Sequence, residues 1–235
     1  MRSILTPPRS LESELLDASD VDPEVVTRSL ADVARSNALF GGRSSAIEEF
    51  RDVLKELPHR ASLLDVGTGL GDIPRRAREV ADENGIDLHA FGLDSAEELA
   101  RASMGGAAVD CAVCGDALHL PFANRSVDVV MCSQVLHHFS RPDAVALLRE
   151  MDRVARVRVI VSDLRRSRVA ALGLWLASFP LRFHAVSRHD GVVSVMRGFT
   201  PEELVDTVRE AVARPATVRQ RRLFRVTTSW APRHR

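Results

Sequence analysis

The stretch LLDVGTGLGD at residues 63–72 constrains the fold of this 235-residue chain more than any other. A short apolar run ends in Asp65, and three glycines follow at alternate positions, Gly67, Gly69 and Gly71. Glycines in such a turn let a ligand lie close to the backbone, and a helix that begins there offers free N–H groups. The stretch therefore predicts a strand, a ligand-binding turn and a helix.

The spacing of these glycines argues against a dinucleotide ligand. Dinucleotide-binding turns read G-x-G-x-x-G, whereas this turn reads G-x-G-x-G. It also carries two acids, Asp65 inside the strand and Asp72 at the helix start, which would repel a pyrophosphate. The turn therefore favours a nucleotide-like ligand that carries a cationic group.

Apolar runs of strand length alternate with helical patterns in the middle of the chain. The runs lie at 62–67, 89–94, 127–135 and 157–164, and the helical patterns at 75–84, 96–104 and 141–154. This alternation predicts an α/β fold with a Rossmann-like, doubly wound and mostly parallel sheet. A helix at 200–211 with a capping box, followed by runs at 217–220 and 224–229, predicts an antiparallel hairpin at the sheet edge.

Two regions outside this alternation are predicted to cover the site. Residues 1–60 have helical patterns near 11–16, 23–33 and 47–57 and are predicted to form an N-terminal lid on a main domain at 61–235. Residues from about 165 to 198 fit neither pattern and are interpreted as a small cap insertion. The apolar part of the cap, 169–183, is too short to span a bilayer; it suits either a lipophilic acceptor or a helix packed in the core.

Three motifs together resemble the class I S-adenosylmethionine-dependent methyltransferases, in particular the small-molecule and quinone enzymes of the type 11-like group. They are LLDVGTGLGD, FGLDSA at 91–96 and CGDALHLPFANRSVDVV at 114–130. The resemblance implies S-adenosylmethionine as cofactor, S-adenosylhomocysteine as product and no metal. It implies Asp65 at the amino end of the methionine, Asp94 at the ribose and Asp116 at the adenine. The implied cofactor-binding set is Asp65, Gly67, Gly69, Gly71, Asp94, Ser95, Asp116, Ala117 and Ser133.

Histidines follow the strand that contains Ser133. His137 and His138 are expected at the carboxyl ends of the strands, where the methyl group of the cofactor would point. A phenol or enol acceptor reacts better once it loses its proton, and a histidine with a pKa of about 6.5 can take that proton. His189, in SRHDG at 187–191 of the cap, is a second candidate base. The alternatives are a structurally packed His138 and a plain polar turn at 187–191.

The absence of one motif narrows the chemical class of the acceptor. No N/D-P-P-Y string follows the strand that ends at SQVLHH, so methylation of a base or of a glutamine amide is disfavoured. The motifs and the apolar cap favour a small aromatic or polyketide-like acceptor, with O-methylation ahead of C-methylation of a quinone-type ring. RNA methylation and a non-catalytic cofactor-binding protein of the same fold stay open as alternatives.

Net charge limits the kinds of partner that the sequence predicts, and cysteine usage indicates the cellular compartment. Lysines and arginines balance the acids at 32 each, so no overall field attracts nucleic acid or an anionic membrane. The basic clusters at 163–168 and 219–225 are interpreted as solvated strand faces or as contacts for an acidic substrate tail. Three cysteines suit a reducing compartment, so the cytoplasm is expected, and CAVC at 111–114 is interpreted as packed at a strand, without metal. The oligomeric state stays open, a homodimer included.

Overall fold

A seven-stranded sheet forms the centre of the fold. The computed structural model describes residues 6–10, 12–17, 22–105 and 108–232. The strands are β1 (Arg60–Val66), β2 (Asp87–Asp94), β3 (Cys111–Cys114), β4 (Val127–Ser133), β5 (Ala155–Leu164), β6 (Val218–Arg221) and β7 (Arg225–Trp230), in the order β3-β2-β1-β4-β5-β7-β6. The first five pair in parallel, and β7 is antiparallel to both β5 and β6. The predicted Rossmann-like sheet with an antiparallel edge hairpin is confirmed.

Helices cover both faces of this sheet. They are α1 (Pro23–Leu39), α2 (Gly42–Val53), α3 (Asp72–Asp82), α4 (Glu97–Ser103), α5 (Arg141–Val154), α6 (Arg168–Ser178), α7 (Ala185–Arg197) and α8 (Pro201–Val212). Adjacent residues of β1 point to opposite faces, so Leu63 and Leu64 belong to two separate apolar clusters. Leu64 packs in the cluster under α5 and α8, and Leu63 in the cluster under α2 and α3. Every residue of β4 is buried, as expected for a strand covered on both faces.

The edge strand β3 departs from the sequence prediction. Its four residues pair only with β2 among the described strands. Because β3 lies at the edge, the side chains of Cys111 and Cys114 are exposed. The prediction that these cysteines lie at a strand is right, and the prediction that they are packed there is wrong.

The N-terminal segment packs against the cap. Of the helix predicted near 11–16, position 11 lies outside the described residues, and Leu15–Asp17 form a single 3-10 turn. Asp190 of α7 accepts hydrogen bonds from the backbone N–H groups of Leu15 and Leu16, at 2.8 and 3.0 Å. Residues 1–5 and 18–21 of the predicted lid also lie outside the described residues, and the division into lid and main domain stays a prediction.

The cap consists of α6 and α7. Only Ala171 and Ser178 of α6 are buried, so the alternative of a core-packed helix is wrong. One side of α6 lines the cavity described below, and the other side exposes three large apolar residues, Leu172, Trp175 and Leu176. Within the described ranges, no helix is long and apolar enough to cross a membrane.

Candidate active site

A cavity of about 500 Å³ lies where the glycine turn, the end of β4, α1, the cap and the β6–β7 hairpin meet. This volume is in the range of small-molecule sites, roughly 300–1,000 Å³. Its walls include Gly67, Gly69, Ser133, Gln134, His137, His138, Phe40, Leu174, Phe183 and Arg225. The cavity therefore borders both the predicted methionine end of the cofactor site and the predicted bases His137 and His138.

The three glycines of the turn are needed for different reasons. All three have positive φ, between +53° and +75°. A Cβ on Gly67 would lie 2.2 Å from Val135 Cγ2, and one on Gly71 would lie 2.7 Å from Ala108 Cβ. A Cβ on Gly69 would meet no atom within 4 Å. Gly67 and Gly71 therefore allow close packing within the protein, whereas the space above Gly69 is open to a ligand.

Two carboxylates next to this turn each have a buried oxygen that lacks a hydrogen-bond partner among the described residues, Asp65 Oδ1 and Asp72 Oδ2. Burial raises the pKa of Asp65 to about 8, and the nearby charges of Asp72 and Asp94 raise it further. Burial also raises the pKa of Asp72. Orphaned buried carboxylate oxygens call for a cation or a donor, which fits the cationic ligand that the sequence predicts.

The predicted nucleoside contacts lie outside this cavity. Asp94, at the end of β2, accepts hydrogen bonds from the N–H groups of Gly69 (2.9 Å) and Ala96 (3.1 Å), so it holds the glycine turn in place. Asp116 is exposed, accepts from the N–H of Leu118 at 2.8 Å, and lies 2.8 Å from His119 Nδ1. Ser95 is exposed and Ala117 half-buried, and neither lines the cavity. Of the predicted nucleoside contacts, Ser95 and Asp116 are thus exposed, whereas Asp94 is buried.

His137 is buried in a 3-10 turn after β4 and is held between two carboxylates. Its Nδ1 lies 2.7 Å from Asp163 Oδ1, and its backbone N–H donates to Asp163 Oδ2 at 3.0 Å. Its Nε2 lies 3.8 Å from Glu14 Oε1. Burial disfavours the charged imidazole, but Asp163 and Glu14 outweigh burial and raise the pKa of His137 to about 9. Asp163 therefore fixes the ring so that Nε2 faces Glu14, which also lines the cavity.

His138 lies beside His137 and lines the same cavity. The two rings stack with centroids 4.4 Å apart, and His138 Nε2 also lies 3.8 Å from Glu14 Oε1. Its side chain is one-third exposed, so His138 is not the packed structural residue of the alternative interpretation. The ligand atoms of Glu14, His137 and His138 lie within 4.8 Å of one another, close enough to hold a metal ion. The predicted absence of a metal stays a prediction.

His189 is not brought to the cavity. It lies within α7, so the alternative of a polar turn at 187–191 is wrong. Its Nδ1 is 2.9 Å from Asp190 Oδ1, its Nε2 is 3.4 Å from Glu12 Oε1, and the hydrogen bond with Asp190 raises its pKa. Asp190 lines the cavity, whereas His189 does not. Of the three predicted bases, the structure therefore brings His137 and His138 together and leaves His189 apart.

Three residues of the site were not found from the sequence. Asp163 ends the strand next to β4, so a comparison of neighbouring strand ends could have paired it with His137. Arg225 is part of the basic cluster at 219–225, which gives no sign of which arginine is buried. Glu14 lies in the helical pattern near 11–16, and nothing in that pattern marks it as a site residue.

The fold and the site define a Rossmann-like protein whose glycine turn suits a cationic nucleotide. Residues 64–161 match the family model of a methyltransferase domain. Over these residues the chain has a methyltransferase domain, which identifies it as an S-adenosylmethionine-dependent methyltransferase, the class of enzyme that its three motifs indicate. No curated protein matches the chain significantly by sequence.

Solved structures share this fold at low sequence identity. The plantazolicin methyltransferase BpumL, in complex with S-adenosylhomocysteine, has a TM-score of 0.67 at 11% identity, covering 94% of this chain and 93% of that one. The magnesium protoporphyrin IX methyltransferase of Synechocystis PCC 6803 has a TM-score of 0.55 at 14% identity, covering 82% of this chain and 84% of that one. A candidate methyltransferase from an antibiotic biosynthesis pathway of Anabaena variabilis has a TM-score of 0.52 at 18% identity, and the match covers 75% of this chain. This chain spans only 65% of that protein, and at these identities the likeness shows the fold alone.

Proposed function

We propose that this methyltransferase transfers the methyl group of S-adenosylmethionine to a hydroxyl oxygen of a small aromatic or polyketide-like molecule. The observation that carries the proposal is the buried pair of His137 and Asp163 at the wall of a cavity that also has apolar walls. A phenol must lose its proton as its oxygen is methylated, and a histidine oriented by a carboxylate is suited to accept that proton. Apolar walls suit an aromatic ring.

The cofactor residues proposed from the sequence have positions that support their roles. S-adenosylmethionine supplies, when bound, a methyl group on a positively charged sulfur. Asp65 and Asp72 offer orphaned carboxylate oxygens to its ammonium group, and Gly69 leaves open space beside the backbone. Asp94 holds the turn and, with Asp116, would accept hydrogen bonds from the nucleoside. Ser133 lines the cavity at the end of β4, next to the methionine end.

In the proposed reaction, the chain holds the acceptor in line with the methyl group and moves one proton. The acceptor hydroxyl gives its proton to Nε2 of His137 as its oxygen bonds to the methyl carbon and the bond from that carbon to sulfur breaks. Asp163 keeps the other proton on Nδ1, and Asp163 and Glu14 stabilise the imidazolium that forms. No metal is required in this scheme.

The lid and the cap are proposed to exclude water from the reacting groups. Arg9 donates to the carbonyl oxygens of His137 (2.9 Å) and Phe139 (3.0 Å), so the N-terminal segment lies directly over the proposed base. Asp190 fixes the same segment to α7. Water exclusion strengthens the electrostatic interactions in the site and limits side reactions.

The cytoplasm is the proposed location, supported by three free cysteines, of which two are exposed. A nucleic-acid partner is not proposed, because Arg219 and Arg221 of the basic cluster both pair with Glu49.

The proposal is tested with methyl-labelled S-adenosylmethionine and a panel of phenols, hydroxyquinones and short RNAs. We expect label on phenolic oxygen, identified by NMR of the product, and loss of that transfer in His137→Gln. Label on a ring carbon would replace oxygen by carbon as the acceptor atom. Label on RNA alone would overturn the small-molecule proposal.

Gly69→Ala is expected to weaken S-adenosylmethionine binding by about tenfold or more, the effect of roughly 1.4 kcal/mol of lost contact. The new Cβ would occupy the open space above the turn. Gly85→Ala is the matched control, because Gly85 also has a positive φ (+73°) and open space around it, but lies in the turn between α3 and β2. Both variants should lose similar stability, roughly 1 kcal/mol, since alanine is strained at positive φ. Calorimetric titration and thermal melts separate the two effects; equal affinities in both variants would contradict the assignment of Gly69.

A further inference from the structure

The turn between β6 and β7 has an unusual composition for its shape. Leu223 and Phe224, in the turn at 222–224, have left-handed φ values of +53° and +56°. Such positions favour Asn, Asp and Gly, and large apolar residues are strained there. Leu223, Phe224 and the next residue, Arg225, all line the cavity. Strain of this kind concentrates at functional sites, so the tip of the hairpin points to a role of these side chains in binding.

Arg225 is buried without an acidic partner. Its side chain is 3% exposed, its Nε donates to the carbonyl oxygen of Phe40 at 3.0 Å, and its Nη1 donates to Gln134 Oε1 at 2.8 Å. Both acceptors are uncharged, and no carboxylate in the described part of the chain forms an ion pair with Arg225. Burial lowers the pKa of Arg225 to about 10, partly opposed by Asp163, so the group is still charged at neutral pH.

The contrast with neighbouring arginines is direct. Arg219 and Arg221 of the same hairpin both pair with the buried Glu49, at 2.7 Å. The chain therefore neutralises two arginines of this cluster and leaves the most buried one, Arg225, facing the cavity. A buried and unpaired charge destabilises the fold unless a ligand supplies its partner.

The neighbour of Arg225 is held in a strained conformation as well. Gln134 has a φ of +58°, which a non-glycine residue rarely adopts. A Cβ on Gly42 would lie 2.4 Å from Gln134 Nε2, so the absence of a side chain at position 42 leaves room for the Gln134 amide. The strained Gln134 and the close approach at Gly42 together hold the amide oxygen against Arg225. This arrangement is typical of a preorganised binding site.

We propose that Arg225 binds a carboxylate of the acceptor, so that the acceptor is a hydroxylated aromatic acid and not a neutral phenol. The proposal rests on the proposed function and adds a substrate class to it. Guanidinium groups bind carboxylates through two parallel hydrogen bonds, which also fix orientation. Leu164 of β5 pairs with Arg225 and directly follows Asp163, so the carboxylate site and the proposed base lie at the same strand ends.

The test compares matched acids and phenols on the full-length protein loaded with S-adenosylhomocysteine. Salicylate is titrated against phenol, and β-resorcylate against resorcinol, by calorimetry. We expect each acid to bind about tenfold or more tightly than its neutral partner, as charged hydrogen bonds predict. Arg225→Gln should remove this difference, and Arg225→Lys should restore part of it. Arg222→Gln, an exposed arginine of the same hairpin outside the cavity walls, should leave it unchanged.

A second arm separates the acceptor from the cofactor as the source of the carboxylate. S-adenosylhomocysteine carries an amino-acid carboxylate, and methylthioadenosine does not. If Arg225→Gln weakens binding of the first and not of the second, the carboxylate belongs to the cofactor and the proposal is overturned. Equal binding of acids and phenols by the unchanged protein also overturns it.

The failure of this inference differs from the failure of the proposed function. Methyl transfer to hydroxylated aromatic acids that Arg225→Gln leaves unchanged would overturn only the carboxylate site. Selective binding of acids without methyl transfer to any phenolic oxygen would support the carboxylate site and overturn the hydroxyl acceptor.

Discussion

Replacing His137 by glutamine is expected to lower kcat by about 10²–10⁴-fold, the range for loss of a general base, and to leave the affinity for S-adenosylmethionine unchanged. Glutamine fills a similar volume and can donate to Asp163, but it cannot take a proton from the acceptor. The measurement is turnover with labelled methyl groups beside calorimetric titration of the cofactor. His189→Gln is the matched control, since His189 also lies beside a carboxylate but does not line the cavity. It should keep most of the activity.

The pH dependence of the reaction follows from the same contacts. The pKa of His137 is raised to about 9, so at saturating cofactor kcat/KM should increase about tenfold per pH unit below that value and level off above it. The raised pKa has the opposite consequence for stability, which should decrease as the pH rises. The native state binds this proton more tightly than the unfolded chain, so the stabilisation is complete below about pH 6.5 and is lost as the pH rises to about 9.

As the pH rises across this window, activity should therefore increase while stability decreases. His137→Gln should remove the part of both pH dependences that is due to His137. Thermal melts and rate profiles on the two proteins measure this. A variant with full activity and an unchanged rate profile would show that His137 is not the base. Positioning of the acceptor would then carry the reaction.

The fold could be predicted because its signals are local. Each central strand and helix shows its pattern within about ten residues, and α5, predicted at 141–154, has those bounds. The boundaries of β1 and β5 differ from the predictions by two residues at the start. The cap was harder to predict, because α6 is apolar both on the side that lines the cavity and on its exposed side, so its sequence lacks a clear amphipathic pattern.

The positions of the proposed cofactor residues could be predicted from single motifs, whereas those of the residues on the proposed acceptor side could not. Asp65, the glycines and Asp94 each lie at a strand end that the sequence marks. Glu14, His137 and Arg225 meet only because the N-terminal segment, the turn after β4 and the C-terminal hairpin fold onto one cavity. No local pattern encodes such long-range contacts. His189 illustrates the reverse case: a neighbouring acid in the sequence suggested a base, but the direction of the side chain on α7 excludes it from the cavity.

Asp65→Asn is expected to stabilise the ligand-free protein and to weaken S-adenosylmethionine binding about tenfold to a hundredfold, as loss of a charged hydrogen bond predicts. Asp65 is buried with an orphaned oxygen, and its pKa is raised from 3.8 to about 8. The native state therefore binds this proton more tightly than the unfolded chain does. Its stability should fall as the pH rises from about 4 to 8, and asparagine should remove that slope.

Asp128→Asn is the control with the opposite expectation. Asp128 is also a buried acid, but it accepts hydrogen bonds from the N–H and hydroxyl of Ser62 and from Arg156, each at 2.9 Å. Its replacement should lower the melting temperature and leave cofactor affinity unchanged. A buried acid with satisfied oxygens stabilises the fold, whereas one with an orphaned oxygen is retained for a ligand.

The same raised pKa predicts that binding of S-adenosylmethionine releases a proton. A cationic group beside Asp65 favours the ionised carboxylate, so affinity should increase with pH up to about 8 and then level off. Calorimetry in buffers of different ionisation enthalpy measures the released proton directly, and Asp65→Asn should abolish its release. If Asp65→Asn instead lowers the melting temperature and binds the cofactor normally, the carboxylate serves the fold. The glycine turn would then have to recognise its ligand without this charge.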